Sequence, residues 1–193
     1  MKIAFTDYAL GARVATDLVN TSAAVRRTTG DALADPAALE RFLAEHDVHP
    51  EALANGRRPT DGDLDEVHAL RREVRRLLEA ATEDRVVDGA SALVTGAGIA
   101  PALSRDADDR WQWHVATAPR ASVSDELAVV IGMGLLGVVR TLGHDRLRHC
   151  ASAVCDGMFV DTSRAGRRRY CMPKLCGNRI NVANHRARRA AGR

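Results

Sequence analysis

The segment CASAVCDGMFVDTSRAGRRRYCMPKLC, residues 150–176, contains all four cysteines of the 193-residue chain. The cysteines form two pairs with the same Cys-x4-Cys spacing, and 15 residues separate the second cysteine from the third. Two close pairs joined by an insert of hairpin length are typical of a tetrahedral metal site, because each pair can form a short knuckle. The spacing therefore predicts one structural Zn²⁺ ion bound by the thiolates of Cys150, Cys155, Cys171 and Cys176.

Four thiolate ligands leave no open coordination position on zinc, so the ion would support the fold and would not bind a substrate. The spacing alone leaves three other interpretations open: an iron–sulfur cluster, two disulfides, or four reduced cysteines without metal. His149 and His185 are further candidate ligands. We expect both histidines to remain outside the site, because the four cysteines already complete the coordination shell.

The residues between the two pairs predict a β-hairpin. MFVD at 158–161 and RRRYC at 167–171 are short strand candidates on either side of the turn TSRAG, which contains Gly166. Gly157 and Gly177 each follow a cysteine at a point where the backbone has to approach sulfur closely, and glycine permits that approach. These features predict a hairpin that lies between two metal-binding knuckles.

The second pair runs directly into GNRINVANHRARRA, residues 177–190, which is long enough to form a helix. Knuckle, hairpin, second knuckle and helix together predict a treble-clef-like zinc finger at residues 144–193. This segment has few large apolar residues, so we expect the metal to supply most of its stability. Residues 1–143 would then form a separate domain.

Apolar residues at helical spacing predict that residues 1–143 are mainly helical. Asp35 is a candidate N-cap with Pro36 at the first helical position, Asp61 or Asp63 can cap a later helix, and Ser122 or Ser124 can start the last one. We predict five helices, at about residues 11–27, 35–48, 61–79, 83–98 and 127–141.

A small hairpin is predicted between the last two of these helices. ALSR at 102–105 and RWQWHVAT at 110–117 flank a polar tip, and the second segment alternates apolar with polar residues. Trp111 and Trp113 would lie on one face of the strand, where we expect them to belong to the core. The predicted fold class is α+β, predominantly α: a helical N-terminal domain with a small β-hairpin, plus the C-terminal treble-clef-like zinc finger.

Positive charge is concentrated in the C-terminal segment. Residues 144–193 carry 12 Lys/Arg and 3 Asp/Glu, a net charge of +9. Residues 1–143 carry 16 Lys/Arg and 22 Asp/Glu, a net charge of −6. Lys2 and Lys174 are the only lysines, so nearly all of the positive charge is guanidinium, which suits bidentate contacts to phosphate or guanine. A tail this basic favours a polyanionic partner.

The predicted terminal helix presents arginine and asparagine, which read guanine and adenine in the major groove, and the hairpin arginines would grip backbone phosphate. We therefore predict double-stranded DNA as the partner. The candidate DNA-binding residues are Arg167, Arg168, Arg169, Asn178, Arg179, Asn181, His185, Arg186, Arg188 and Arg189. The alternative is a zinc-stabilised adaptor that binds RNA or an acidic protein.

Residues 1–143, which we call the body, contain no familiar catalytic motif. The body has no G-x-S-x-G, no P-loop and no H-E-x-x-H, and GAGIAP at 96–101 lacks the lysine of a phosphate loop. His46, His49 and His68 fit no usual metal spacing, and we expect them to be exposed. These observations predict that the protein is not an enzyme, although an enzyme with a nucleic-acid-binding tail is a third hypothesis.

The chain shows no segment that predicts membrane insertion. Its longest apolar run, LAVVIGMGLLGVV at 127–139, has 13 residues, whereas roughly 20 are needed to span a bilayer. The first residues, MKIAFTDYAL, show no apolar signal-peptide region. We therefore expect a cytoplasmic protein without a membrane partner, in which the thiols stay reduced.

The motif CGNR at 176–179, preceded by DTSRAGRRRYC and followed by ANHRAR, resembles the CGNR zinc-finger family. The resemblance covers about residues 144–190, and DLVNT at 17–21 resembles the start of the ABATE domain that accompanies this finger. Proteins of this architecture are described as stress-responsive bacterial transcription regulators. The resemblance implies zinc on the four cysteines and DNA as the partner, and hence an association with the bacterial nucleoid.

The sequence as a whole favours a DNA-binding transcriptional regulator built from two parts. Residues 1–143 would form an ABATE-like helical domain that homodimerises or senses a small-molecule effector. Residues 144–193 would form the CGNR zinc-finger module that binds DNA.

Overall fold

A computed structural model describes residues 1–4, 8–105 and 108–177. Within these ranges the helices are α1 (Tyr8–Val19), α2 (Pro36–Glu45), α3 (Asp61–Leu78), α4 (Glu83–Ala97) and α5 (Val123–Leu142). The strands are β1 (Lys2–Ala4), β2 (Ala102–Arg105), β3 (Trp111–Ala116), β4 (Leu147–His149) and β5 (Met158–Val160). The predicted α+β class with mainly helical structure is confirmed, and every helix in these ranges is too short or too polar to cross a membrane.

Local sequence signals determine where the helices begin. The side chain of Asp35 caps α2 by accepting a hydrogen bond from the N–H of Ala38, as predicted. The cap predicted for α3 is wrong. Thr60 is the N-cap, and Asp63 completes a capping box because its carboxylate accepts from the N–H of Thr60 while the Thr60 hydroxyl accepts from the N–H of Asp63.

Helix α1 is shorter than the predicted helix at 11–27, since it ends at Val19 and residues 20–30 form turns. Two polar side chains explain the early end. The Asn20 amide donates to the carbonyl oxygen of Thr16 at 2.7 Å, and the Thr21 hydroxyl donates to that of Leu18 at 2.6 Å. Such side-chain bonds satisfy the last carbonyls of a helix and compete with its continuation.

Helix α5 lies at the centre of the core, packed against α1 and α4. Leu127, Ile131 and Leu135 are completely buried, and each contributes about 1.5–3 kcal/mol through burial. A Cβ atom added to Gly134 would lie 2.5 Å from the Cα atom of Gly11. These glycines, which lower the helix propensity of the sequence, let α1 and α5 approach each other backbone to backbone.

The body also contains a three-stranded antiparallel sheet in the order β1–β3–β2. The predicted hairpin of β2 and β3 is confirmed, with Leu103 opposite Trp113, whereas β1 was not predicted. Val115 is buried, but Trp111 and Trp113 are 62% and 54% exposed, so the expectation that they belong to the core is wrong. Within β3, His114 and Val115 are the buried residues, and Val115 belongs to the apolar core.

After α5 the chain turns at Gly143, whose φ of 93° favours glycine, and forms a second sheet from β4 and β5. Leu147 lies opposite Val160 and His149 lies opposite Met158. The predicted pairing of 158–161 with 167–171 is therefore wrong, because the partner of β5 is the segment that precedes Cys150. The predicted turn at Gly166 is present, with its N–H donating to the carbonyl oxygen of Ser163 at 3.0 Å.

Candidate metal centre

The structure brings the sulfur atoms of all four cysteines within 4.8 Å of one another. The Sγ–Sγ distances are 3.6 Å for Cys155–Cys171, 3.8 Å for Cys171–Cys176 and 3.7 Å for Cys155–Cys176, and none of the four cysteines forms a disulfide. Tetrahedral coordination with Zn–S bonds of about 2.3 Å places sulfur atoms about 3.8 Å apart. The donor set and its spacing therefore fit a four-thiolate zinc site.

The first cysteine pair lies in the loop of the β4–β5 hairpin. Cys150 directly follows β4, and its N–H donates to the carbonyl oxygen of Gly157 at 2.8 Å, which extends the ladder by one bond. The N–H of Cys155 donates to the carbonyl oxygen of Ser152 at 3.0 Å, and the N–H of Gly157 donates to the Cys155 sulfur at 3.4 Å. This loop is the first predicted knuckle.

The second pair is held by a turn of its own. The N–H groups of Leu175 and Cys176 both donate to the carbonyl oxygen of Met172, at 3.0 and 2.8 Å, so the chain after Cys171 folds back and returns Cys176 to the first pair. The N–H of Ala151 donates to the carbonyl oxygen of Arg169 at 2.8 Å and ties the two knuckles together.

Gly157 is required by close packing against the second pair. A Cβ atom at this position would lie 2.3 Å from the sulfur of Cys171 and 2.7 Å from Oδ1 of Asn20. The predicted approach of backbone to sulfur is confirmed at Gly157, and the same expectation for Gly177 stays a prediction.

The cysteines differ in how readily they ionise. Burial, together with the neighbouring sulfurs, raises the pKa of Cys171 and raises that of Cys176 to about 11. Burial also opposes ionisation of Cys150, but hydrogen bonds from the backbone N–H groups of Cys171 and Ser152 lower its pKa. A divalent cation that binds here therefore has to displace protons from the more buried thiols.

A buried carboxylate shapes the chain between the two pairs. Asp161 is completely buried and accepts hydrogen bonds from the N–H and hydroxyl of Ser163, from the N–H of Arg168 at 3.0 Å and from the Arg148 guanidinium at 3.3 Å. Burial alone would raise its pKa, but the bonds from Ser163 and the other donors lower it. These bonds bend the chain away from β5, which explains why 167–171 does not return as a strand.

Of the predicted DNA contacts, the three hairpin arginines are described by the structure. Arg167 and Arg169 are exposed, and the Arg169 guanidinium lies 5.8 Å from the ring centre of Tyr170. Arg168 points inward: its guanidinium lies 4.8 Å from the ring centre of Phe159 and donates to the carbonyl oxygens of Tyr170 and Cys171. The remaining candidates lie outside the described residues: Asn178, Arg179, Asn181, His185, Arg186, Arg188 and Arg189.

Helix α1 docks on the free edge of β5, a contact that the sequence analysis did not predict. The N–H of Met158 donates to Oδ1 of Asn20 at 3.2 Å, and Nδ2 of Asn20 donates back to the carbonyl oxygen of Met158 at 2.6 Å. One turn earlier, the hydroxyl of Thr16 accepts from the N–H of Val160 at 2.9 Å. Two polar side chains, one in α1 and one just after its end, thus take the place of a neighbouring strand, and their four-residue spacing was the available signal.

Three histidines of the body, His46, His49 and His68, form no metal-binding group within the described residues, and the expectation that they are exposed is wrong for two of them. His46 is buried, with Nε2 3.0 Å from Oδ2 of Asp17 and Nδ1 2.8 Å from the carbonyl oxygen of Phe42. Burial would lower its pKa, but the bonds to Asp17 and Phe42 raise it above the ordinary value.

His49 is exposed as expected, whereas His68 is half-buried and contacts the carbonyl oxygen of Leu33. Among the described residues, the four cysteines are the group that can hold a metal ion; His149 is not part of it, and His185 lies outside the described residues.

Two family models match the chain, in the order in which the two parts occur. The model described as "Putative stress-induced transcription regulator", named ABATE, matches residues 12–149, and the model described as "CGNR zinc finger" matches residues 146–189. No curated protein matches the chain. Neither family description names an enzyme. Because the first model covers most of the chain and the second covers the cysteine cluster, the chain belongs to the ABATE family and carries a CGNR zinc finger.

Proposed function

We propose that this protein is a DNA-binding transcriptional regulator whose C-terminal module, residues 144–193, is held in shape by one structural zinc ion. The four-cysteine cluster is the observation that carries the proposal, because its sulfur spacing fits tetrahedral coordination and leaves no position for a substrate. Cys150, Cys155, Cys171 and Cys176 would each supply one thiolate. The ion would fix the two knuckles relative to each other and to the segment that follows Cys176.

The charge of the chain supports a polyanionic partner for this module. The net charge of +9 at 144–193 contrasts with −6 at 1–143, and Arg167 and Arg169 extend this charge onto an exposed loop. We propose these two arginines as phosphate contacts, together with the candidates beyond residue 177. Because Arg168 is engaged inside the module, we do not assign it to DNA.

The helical body would convey a signal to the DNA-binding module. It contacts the module through Thr16, Asn20 and β5, so a change in α1 reaches the hairpin that carries two of the four cysteines. We propose that residues 1–143 form the sensing or homodimerising domain of a cytoplasmic regulator. The ABATE family description, which names a stress-induced transcription regulator, supports a regulatory role for the chain.

Selection of bound duplexes from a random DNA pool, run on the full chain with zinc and again with a chelator, tests the proposal. We expect a preferred sequence only when zinc is present, and an affinity that falls linearly with the logarithm of salt concentration. Replacing Arg167 and Arg169 by alanine should reduce the slope of log affinity against log salt concentration by the equivalent of about one to two phosphate contacts. Arg85→Ala, at an exposed position on α4, is the control and should leave this slope unchanged. Equal binding of duplex DNA, structured RNA and heparin would instead support the RNA- or protein-binding adaptor.

A further inference from the structure

A cavity of about 770 Å³ lies where the body meets the zinc module. Its floor is one face of α1 with Arg13 and Thr16, one wall is the chain at His46, and the opposite wall is formed by Val160 and Arg168 of the module. Small-molecule sites typically have volumes of about 300–1,000 Å³ and often lie between two structural units. The position and size of this cavity therefore suit a small ligand.

Two arginines from different parts of the molecule, Arg13 and Arg168, are among the residues that line this cavity. Arg13 donates to the carbonyl oxygen of His46 at 3.3 Å, and Arg168 donates to two carbonyl oxygens of its own module. Within the described ranges, neither arginine has a carboxylate within ion-pair distance, unlike Arg71, which pairs with Asp31 at 2.7 Å. Both guanidinium groups thus keep positive charge that the surrounding protein does not neutralise.

The acidic side chains of the cavity already have partners. Asp17 lies 3.0 Å from His46, and the hydrogen bond between them helps to keep the pKa of this histidine raised. Asp47 is 91% exposed and lies 2.9 Å from His49. The charge still available to a ligand is therefore mainly positive.

We propose that this cavity binds a small organic anion, with a carboxylate or phosphate group held by Arg13 of the body and Arg168 of the zinc module. Guanidinium groups bind both kinds of group through charge-assisted and often bidentate hydrogen bonds. The proposal rests on the proposed function, since it gives the sensing domain a ligand class and a binding site.

The cavity is linked directly to the metal centre and to the docked hairpin. Arg168 donates to the carbonyl oxygen of Cys171, and Thr16, which lines the cavity, also accepts from the N–H of Val160. An anion bound to both arginines would hold the body against the module. Ligand binding would therefore stabilise the packing of the module against the body.

Binding of inorganic phosphate and of malonate to the zinc-loaded full chain tests this inference, by calorimetry and by the melting temperature at constant ionic strength. Saturable binding to the unmodified protein is expected, and Arg13→Gln should weaken it by about tenfold or more, the value of one charge-assisted hydrogen bond. Arg13 is exposed on α1, so its loss should not unfold the chain. Arg85→Gln, an exposed arginine of α4, is the matched control and should bind both anions normally.

Absence of saturable binding, or an equal effect of Arg13→Gln and Arg85→Gln, would overturn the inference. A second arm measures duplex DNA binding in phosphate-free buffer. If Arg13→Gln lowers duplex affinity and flattens its salt dependence, the cavity contacts DNA phosphate and the small-anion proposal is wrong. If the zinc-loaded protein binds no duplex at all, the proposed function fails. The anion titration still tests the cavity in that case, because it does not require DNA binding.

Discussion

The helical body and the zinc module are stabilised by different interactions. The body has a continuous apolar core, to which α5 contributes fully buried residues such as Leu127 and Leu135. The separate cluster of the module consists of Phe159 and the buried cysteines, with Cys155, Tyr170 and Met172 packed against it. A cluster of this size cannot offset the conformational entropy of the module, so under the proposed function sulfur–metal bonds and polar contacts would have to stabilise it.

Strand β5 belongs to both regions. Met158 and Val160 pack into the core of the body, whereas Phe159 points to the opposite face and packs with the cysteines. Side chains of a strand alternate between its two faces, so three residues suffice to join the two regions. The hairpin of this zinc finger is therefore not an independent unit, because one face of β5 packs on the body and the other on the cysteine cluster.

The largest effect is expected from loss of a metal ligand. Cys171→Ser should abolish tight zinc binding and unfold the segment around the cysteines, because structural zinc contributes apparent binding free energies of about 10–16 kcal/mol in small fingers. Leu135→Ala is the contrasting change in the body, and should cost about 2–5 kcal/mol while the protein still binds one zinc ion. The zinc content of each variant and its free energy of unfolding in denaturant measure the two effects. A fully loaded Cys171→Ser protein would contradict the division between the two regions.

The second prediction concerns the buried carboxylate of the module. Asp161→Asn should destabilise the zinc-loaded protein by about 3–5 kcal/mol, because it breaks a buried charge pair with Arg148 and several hydrogen bonds. The pKa of Asp161 is lowered in the folded state, so its contribution is present above about pH 4 and is lost as pH falls through the folded pKa. Asp145→Asn, which removes an exposed partner of the same Arg148, should change stability by less than about 1 kcal/mol.

The third prediction weakens only the contact between the regions. Asn20→Ala should cost about 2–3 kcal/mol, since it leaves the N–H and carbonyl of Met158 without partners in a buried position. Thr16→Val removes one bond, to Val160, and should cost about 1 kcal/mol. Denaturant unfolding and amide exchange at Met158 and Val160 measure the effect. If neither variant alters exchange at β5, these side chains do not hold the hairpin.

The smallest expected effect involves His46 and Asp17. The pKa of His46 is raised in the folded state, so the pair stabilises the protein fully below the ordinary histidine pKa of about 6.5 and less as pH rises through the folded pKa. His46→Gln should therefore lower stability more at pH 6 than at pH 9, by about 1 kcal/mol or less because Asp17 is partly exposed. His49→Gln, which removes an exposed pair, is the matched control and should change stability little.

The sequence was most informative where one local signal determines one local feature. The Asp35 cap, the β2–β3 hairpin and the close approach at Gly157 all follow from residue types at fixed spacing, and all are confirmed. The assembly of the four cysteines was predictable for the same reason, because their spacing is a property of the chain itself.

Apart from the cap of α3 and the end of α1, which are local errors, the incorrect predictions depend on partners that are distant in the sequence. The strand that pairs with β5 precedes Cys150, and the other edge of β5 is taken by Thr16 and Asn20, more than a hundred residues earlier. The exposure of Trp111 depends on which parts of the body pack against β3, and the burial of His46 depends on Asp17 in another helix. Periodicity within a segment carries no information about such partners.

Amide hydrogen exchange of the full chain, with zinc bound and after its removal by a chelator, would show whether the metal ion holds the module. Without zinc, we expect exchange to accelerate by orders of magnitude at 150–157 and 161–177, while α3, α4 and α5 stay protected and β5 loses only part of its protection. Unchanged protection at 150–177 without zinc would contradict the claim that four thiolates and one metal ion hold this module against the body.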